Sequence, residues 1–373
     1  MENENQIPKP ESDVNASAAQ KKETSVVKCP NCGADLHYDP NGLCLKCSHC
    51  DTSVAIAGTK ADEVSFETLP EEDPYDIQGG GNAYRCQNCG ADTVYQGYDI
   101  APACPFCGAS NIVKEDCIPG LRPNGILPFS RSKEDIVPCY KQWMKKKAFA
   151  PRKLKKNFMA EQVQGVYLPV FTFDSSVHAN YNGRLGKRRT RTVRRNGKTY
   201  TETYTEWFYV SGAVSRQVDD LLVEACSSLN QKEMSEIEPF DTANSVQFDS
   251  SFFVGFKATR YNRGINESWQ IAKGIINDWL YADVKRRYNA DVVDYINLDT
   301  RHFNTSYKHL LVPVWMCAYT YRKKRYGFII NGRTGKVAGK APKSPWKIFA
   351  LVLGILAAIA AVGVLIYFKI YGG

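Results

Sequence analysis

Cys29-Pro-Asn-Cys32 followed by Cys44-Leu-Lys-Cys47, and Cys86-Gln-Asn-Cys89 followed by Cys104-Pro-Phe-Cys107, decide how this chain is read. A C-x-x-C pair on a tight turn lets two thiolates face one cation, and two such pairs close a tetrahedron with no open position. Gly33, Gly90 and Gly108 each follow the second cysteine of a pair, where a knuckle turn uses positive φ. The spacing therefore predicts two zinc ribbons, over 26–56 and 83–117, each folded around one structural zinc ion. The predicted ligands are Cys29, Cys32, Cys44 and Cys47 in the first ribbon, and Cys86, Cys89, Cys104 and Cys107 in the second. His49 and Cys50 stand just past Cys47 and offer alternative ligands, but the spacing favours Cys47. A redox role for one pair would need a βαβ setting that the pattern lacks. Four thiolates leave no position for water, so hydrolytic zinc chemistry is not expected. The isolated Cys117, Cys139, Cys226 and Cys317 read as core or incidental residues.

Thirteen cysteines in a small secreted chain would suggest disulfides, but close pairing points to metal binding in a reducing compartment. The first 25 residues are polar and carry no apolar run, so no signal peptide is read and a disordered tail is expected over 1–25. An acidic, proline-bearing stretch from Glu63 to Asp76 leads into Gly79-Gly80-Gly81, giving a linker over 57–82. Such a linker leaves the two ribbons mobile relative to each other unless they dock elsewhere. At 373 residues the chain holds two or three folded units, and 43% hydrophobic residues are enough for a sizeable core.

At the other end, Phe349 to Phe368 runs for twenty residues without a charge. At about 1.5 Å per residue this spans roughly 30 Å, the hydrocarbon thickness of a bilayer. A transmembrane helix over 347–369 is therefore expected. Lys336, Lys340, Lys343 and Lys347 precede it and Lys369 alone follows, so the positive-inside rule keeps the bulk of the chain in the cytosol. The expectation is a single-pass tail anchor in the cell (inner or plasma) membrane, with Trp346, Tyr367 and Tyr371 at the interfaces.

Residues 118–346 mix helix and strand periodicity, an α+β domain with an antiparallel sheet. Ser132 and Asp135 form a capping-box pattern before an amphipathic run with Ile136, Tyr140, Trp143 and Met144, although Pro138 counts against its first turns. Trp269, Ala272, Ile275, Ile276, Trp279, Leu280 and Val284 recur at helical spacing between Ser268 and Tyr288. Strand-like runs cover Val166–Phe173, Tyr204–Val214, Val314–Tyr321 and Tyr326–Asn331. Val166-Tyr-Leu-Pro-Val-Phe171 echoes Leu310-Leu-Val-Pro-Val-Trp315, which reads either as a duplicated strand unit or as two similar strands with an early proline at a sheet edge.

Lys187 to Lys198 carries seven basic residues in twelve and contains Asn196-Gly197, a strong hairpin signal. A two-residue turn there sets Arg195 opposite Lys198, Val193 opposite Tyr200, Arg191 opposite Glu202 and Lys187 opposite Glu206. Thr192 and Thr190 then face Thr201 and Thr203, and the ribbon over 187–206 projects into solvent. The plainer reading is a solvated hairpin with charges partly balanced across its strands. The functional reading is a probe for anionic surfaces, phospholipid headgroups or nucleic acid, with Tyr200, Tyr204 and Trp207 as stacking residues. The formal charge of +9 suits a membrane surface or a polyanion.

No nucleotide-binding loop, H-E-x-x-H, G-x-S-x-G or G-x-G-x-x-G occurs, and His37, His49, His178, His302 and His309 have no ligand or triad spacing. The paired ribbons, Gly165-Val-Tyr-Leu-Pro-Val-Phe171, Leu310–Trp315, and Tyr326-Gly-Phe-Ile-Ile-Asn-Gly-Arg-Thr-Gly-Lys336 resemble a family of uncharacterised bacterial zinc-ribbon membrane proteins. These are sometimes labelled after the TFIIB-type zinc ribbon or the primosomal replication-restart helicase. The resemblance covers about residues 26–347 and implies architecture without an established activity. The helicase label does not carry over, since the nucleotide-binding loop is missing. The expected function is a membrane-tethered, non-enzymatic zinc-binding adaptor whose ribbons bind a protein partner. The alternative is a membrane-associated nucleic-acid binder using the ribbons and the basic hairpin. No catalytic or cofactor-binding residue and no small-molecule substrate is indicated.

Overall fold

The computed structural model describes residues 28–56, 58–67, 82–95, 104–107, 109, 112–115, 123–152, 154, 163–226, 231–253, 255–259, 261–321 and 324–371. The tail over 1–25, Gly79–Gly81, Gly108 and Cys117 lie outside the described residues. In chain order the N-terminal half contains β1 (Leu36–Asp39), β2 (Cys44–Cys47), β3 (Ser53–Ala55), β4 (Val64–Ser65), β5 (Asn82–Cys86), β6 (Asp92–Tyr95), β7 (Ile112–Glu115), β8 (Gly125–Ile126) and α1 (Ile136–Lys146). Then come β9 (Val163–Arg195), β10 (Lys198–Glu224), α2 (Gln231–Ile237), β11 (Val246–Gln247), β12 (Lys257–Thr259) and α3 (Ile265–Arg287). The chain closes with β13 (Val292–Tyr321), β14 (Lys324–Asn331), β15 (Val337–Gly339) and α4 (Pro345–Tyr371).

Three strands of 33, 27 and 30 residues, β9, β10 and β13, form the spine. From Phe171 onward, β9 turns Phe171, Phe173, Val177, Ala179, Tyr181 and Leu185 to one face, where they are buried with Val210, Val214 and Val218 of β10. The alternate residues Ser176, His178, Asn180 and Asn182 point the other way. α3 covers the apolar face with Ile265, Trp269, Ala272, Ile276, Leu280 and Val284, a stripe at helical spacing. The polar face of this three-stranded arm has no covering element among the described residues. The strands are much longer than the apolar windows that announced them, because half of each strand is polar by design of that bare face.

Below Phe171 the sheet becomes a root with both faces covered. The two echoing segments pair with each other there, antiparallel, with Val170 opposite Leu310 and Val166 opposite Val314. Pro169 and Pro313 therefore lie inside central strands, not at a sheet edge. Each sits where the neighbour on its other side changes: β12 pairs with β9 only to Tyr167 and β10 begins at Val170, while β14 begins at Val314. A residue without an N–H is tolerated in such a gap. α1 covers one root face, packing Ile136, Tyr140 and Met144 with Tyr167, Trp315 and Phe328. The turn just ahead of it is closed reciprocally, Ser132 N–H to Asp135 Oδ2 at 2.9 Å and Asp135 N–H to Ser132 Oγ at 3.3 Å. Pro138 falls in the first turn, where its missing N–H has no intrahelical partner to lose. α2 covers the opposite face with Met234 and Ile237, against Val166, Leu168, Val312 and Val314.

Part of the expected linker is docked rather than mobile. Ala61 is buried, β4 pairs with Ser306 and Tyr307 of β13, and the Phe66 ring lies 5.6 Å from Trp269. The basic hairpin has the anticipated register, with Arg195 opposite Lys198, Thr192 opposite Thr201 and Lys187 opposite Glu206. Asn196 (φ 49°) and Gly197 (φ 74°) form its tip. β13 stops pairing at Gly186, so 187–206 continue as a free two-stranded ribbon. At the opposite end, α4 starts beside α1, tied by Ser344 N–H to the Phe149 carbonyl (2.8 Å) and by Lys347 Nζ to the Ala150 carbonyl (2.6 Å). From Phe349 to Val364 its described side chains are exposed and apolar, and the helix is long enough to cross a bilayer.

Candidate metal centres

Two groups of four cysteines gather their sulfurs within 4.8 Å of one another: Cys29, Cys32, Cys47 and Cys50, and Cys86, Cys89, Cys104 and Cys107. Each is built from two turns of one design. In the first turn the Cys29 N–H donates to Ala34 O (2.7 Å) and the Gly33 N–H to Cys29 O (2.9 Å), with Gly33 at φ 74°. The same two bonds recur from Cys86 to Ala91 and from Gly90 to Cys86, with Gly90 at φ 72°. Cys104 likewise donates to Ala109 O at 2.8 Å. The fourth turn begins at Cys47, which donates to Thr52 O while Asp51 N–H returns to Cys47 O at 3.0 Å. Asp51 holds φ 56° where the sister turns use glycine, a conformation that aspartate tolerates better than most residues.

This geometry corrects the ligand set read from spacing. Cys50 stands where Cys44 was expected. Cys44 and Cys47 both lie on β2, and residues three apart on a strand point to opposite faces. Cys47 shares the inner face with Leu45, Leu36 and Tyr38, whereas Cys44 lies opposite Asp39 on the outer face. Their Cα atoms are about 10 Å apart along the strand, beyond the span of one tetrahedral site. The signal for Cys50 was present as Cys47-Ser-His-Cys50, but the overlapping Cys44-Leu-Lys-Cys47 has the same spacing and was preferred. His49, inside that turn, is exposed and outside the cluster.

The donor sets fit a soft, tetrahedral cation. Sulfur separations are 3.5 Å for Cys29–Cys50 and Cys32–Cys47, and 3.6 Å for Cys86–Cys107 and Cys89–Cys104. These are far beyond a disulfide and close to the roughly 3.8 Å tetrahedral edge that metal–sulfur bonds of about 2.3 Å produce. Cys29 and Cys50 in the first group, and Cys104 in the second, sit below the usual thiol range. A hydrogen bond from Thr52 draws Cys50 down to about 6, and the hydrogen bond with Cys89 draws Cys104 down to about 5. Cys226 and Cys317 are buried, and burial pushes the Cys317 thiol up to about 12, where it stays protonated.

Both centres are braced against the root. Leu36, Tyr38 and Leu45 of the first join the α1-side core, and the Tyr38 hydroxyl donates to the Phe129 carbonyl at 2.9 Å. The second centre enters the main sheet itself, since β6 pairs with β12 and β12 with β9. Phe106, between Cys104 and Cys107, reaches the α2-side core. A cleft of about 280 Å³ beside it is lined by Met316, Tyr326, Phe328 and Lys340.

No family model and no solved structure matches this chain. Among curated proteins it is similar to the uncharacterized protein YdjG of Bacillus subtilis (strain 168). The two are 26% identical over 335 residues, which span 88% of this chain and 93% of that protein. The likeness thus extends over most of both chains, and the relative's description carries no activity.

Proposed function

We propose that this chain is a non-catalytic adaptor, tethered to a membrane by α4 and braced by two structural zinc ions, whose partner-binding element is the long arm. The observation that carries this is the placement of both cysteine centres on the root, at the end opposite the exposed hairpin. A ribbon that spends its apolar face on Phe129, Phe252 and Phe256 has that face unavailable to a partner. The arm, by contrast, continues about 80 Å beyond the root at about 3.3 Å per residue from Phe171 to Arg195. Zinc is the metal proposed because four thiolates in closed tetrahedral geometry are its structural signature. The bulk lies in the cytosol under the positive-inside rule, with lysines crowded before α4. Membership of the zinc-ribbon membrane family that the sequence resembles belongs to the same proposal.

Hydrogen exchange on the full-length protein in detergent, before and after chelation, tests the bracing. Protection is expected to fall over 28–56, 82–95 and the root segments 123–130 and 163–170, while α3 and the arm strands beneath it keep theirs. Unchanged protection at the root would make the zinc modules passengers rather than braces. For the adaptor role, photo-crosslinkers at Tyr200 and at Lys46 in membranes should yield partner adducts from the hairpin position. Adducts from Lys46 alone would return the partner site to the ribbons.

A further inference from the structure

The two faces of the projecting hairpin are not equivalent, and the register decides which one is free to act. On one face, Arg189 pairs with Glu206 at 3.0 Å and Arg191 with Glu202 at 2.9 Å, alternating with Val193, Tyr200 and Tyr204. Lys187, Arg195 and Lys198 share that face, so its two carboxylates offset two of its five cations. The other face carries Arg188, Thr190, Thr192 and Arg194 from β9, and Thr199, Thr201, Thr203 and Thr205 from β10. It has two guanidiniums, six hydroxyls and no carboxylate between Gly186 and the tip. Asp291 approaches its base, but accepts the Arg188 backbone N–H (2.8 Å) rather than the guanidinium. Below, the same face continues into Arg184, which lies over Trp207 at 5.1 Å and is 3.4 Å from Asp294.

We propose that the Arg188–Thr192–Arg194 face of the hairpin docks on duplex DNA, through its phosphates, with the ribbon lying in the major groove. This deepens the adaptor reading above and rests on the arm being its binding element. Charge complementarity selects a polyanion: the ribbon from Lys187 to Glu206 has seven basic and two acidic side chains. Shape selects the duplex. A two-stranded ribbon free of a third strand fits a groove about 12 Å wide, and hydroxyls and guanidiniums are the side chains that bond phosphate oxygens. Location argues against the anchoring bilayer, because α4 starts at the root and the hairpin lies at the far end of β9. The cysteine centres take no part, since their apolar surfaces are already used.

The test uses adjacent positions on opposite faces. Thr192→Glu and Val193→Glu, four and three residues before Asn196, change net charge identically, but only the first places a carboxylate on the proposed face. The full-length protein in neutral-lipid nanodiscs would be titrated with a labelled 20-base-pair DNA duplex, with vesicles containing phosphatidylglycerol as a separate arm. Two phosphate contacts, from Arg188 and Arg194, should weaken binding about tenfold between 50 and 200 mM salt. Thr192→Glu is expected to weaken binding at least tenfold and Val193→Glu less than threefold. Replacing Lys141, Lys145, Lys146 and Lys147 by glutamine, at the root, should leave it unchanged. Absence of duplex binding at 50 mM salt, equal losses for Thr192→Glu and Val193→Glu, or hairpin-dependent binding to vesicles alone would each overturn the proposal. A crosslinked protein partner at Tyr200 without duplex binding would retain the adaptor and reject DNA, so the two readings fail separately.

Discussion

Replacing Cys50 or Cys44 by serine should have opposite consequences, although both cysteines sit within three residues of Cys47. Cys50→Ser removes one of four thiolates whose sulfurs stand as close as 3.5 Å, from a site whose closure holds the first module in shape. A structural zinc ion contributes about 10–16 kcal/mol in small modules that fold on it, so loss of one ligand is enough to empty the site at micromolar zinc. The module's attachment then goes with it. Leu36, Tyr38 and Leu45 are 3%, 4% and 3% exposed, and burying side chains of this size stabilises by about 1.5–3 kcal/mol each. Roughly 5–9 kcal/mol of burial at the root therefore depends on this centre, as an upper bound. Cys44→Ser changes a half-exposed side chain on the outer face of β2 and should alter stability by no more than about 0.5 kcal/mol. Metal analysis by mass spectrometry should find two zinc ions per chain in the parent and in Cys44→Ser, and one in Cys50→Ser, with a lowered first unfolding transition only in the last. Loss of a metal from Cys44→Ser with retention in Cys50→Ser would refute the strand-parity argument and restore the ligand set read from spacing.

Cys104→Ser is expected to lose the other metal and to loosen β6 from β12, seen as faster exchange over 82–95 and 257–259 with the first centre intact. Leu280→Ala, at a fully buried position of α3, should destabilise the arm by about 2–5 kcal/mol in denaturant unfolding. Burial pushes Asp174 up to about 6, with the Glu63 and Asp220 carboxylates adding to it against Lys308. The unfolded chain therefore ionises first as pH rises. The penalty is absent below about pH 4, complete above about pH 6, and amounts to at most about 3 kcal/mol. Stability should fall across that window, and Asp174→Asn should flatten the profile; an unchanged slope would assign it to another group. Ending the chain at 343 should move it from the carbonate-resistant membrane fraction to the soluble one.

Elements with a strong local signal were legible in the sequence. The α3 stripe from Trp269 to Val284, the Ser132–Asp135 turn ahead of α1 and the Asn196-Gly197 turn each rest on contacts within a few residues, and each is found with its boundaries shifted by at most a few positions. The hairpin register follows from a two-residue turn by counting, so every pair from Arg195–Lys198 to Lys187–Glu206 was available without coordinates. The twin cysteine centres were legible as a pattern. The apolar helix at the C-terminus was legible as a length.

What only the tertiary structure decided depends on parity and on partners distant in the chain. Whether Cys44 or Cys50 meets Cys29 turns on Cys44 lying inside a strand, whose alternation sends it away from Cys47, and pairing with β1 and β3 sets that strand. The length of β9, β10 and β13 was hidden because their bare face is polar, and only α3, nearly a hundred residues on from Phe171, makes the other face a core. The pairing of Val166–Phe171 with its echo at Leu310–Trp315 places both prolines centrally, a consequence of where β10, β12 and β14 begin and end. The sequence by itself determined that this chain carries two sets of paired cysteines able to hold a metal and one long apolar helix. The tertiary structure decided which thiolates close the first site, and that both sites brace the root of an arm instead of reaching outward, because burial of Leu36, Tyr38 and Phe106 is settled by packing and not by spacing.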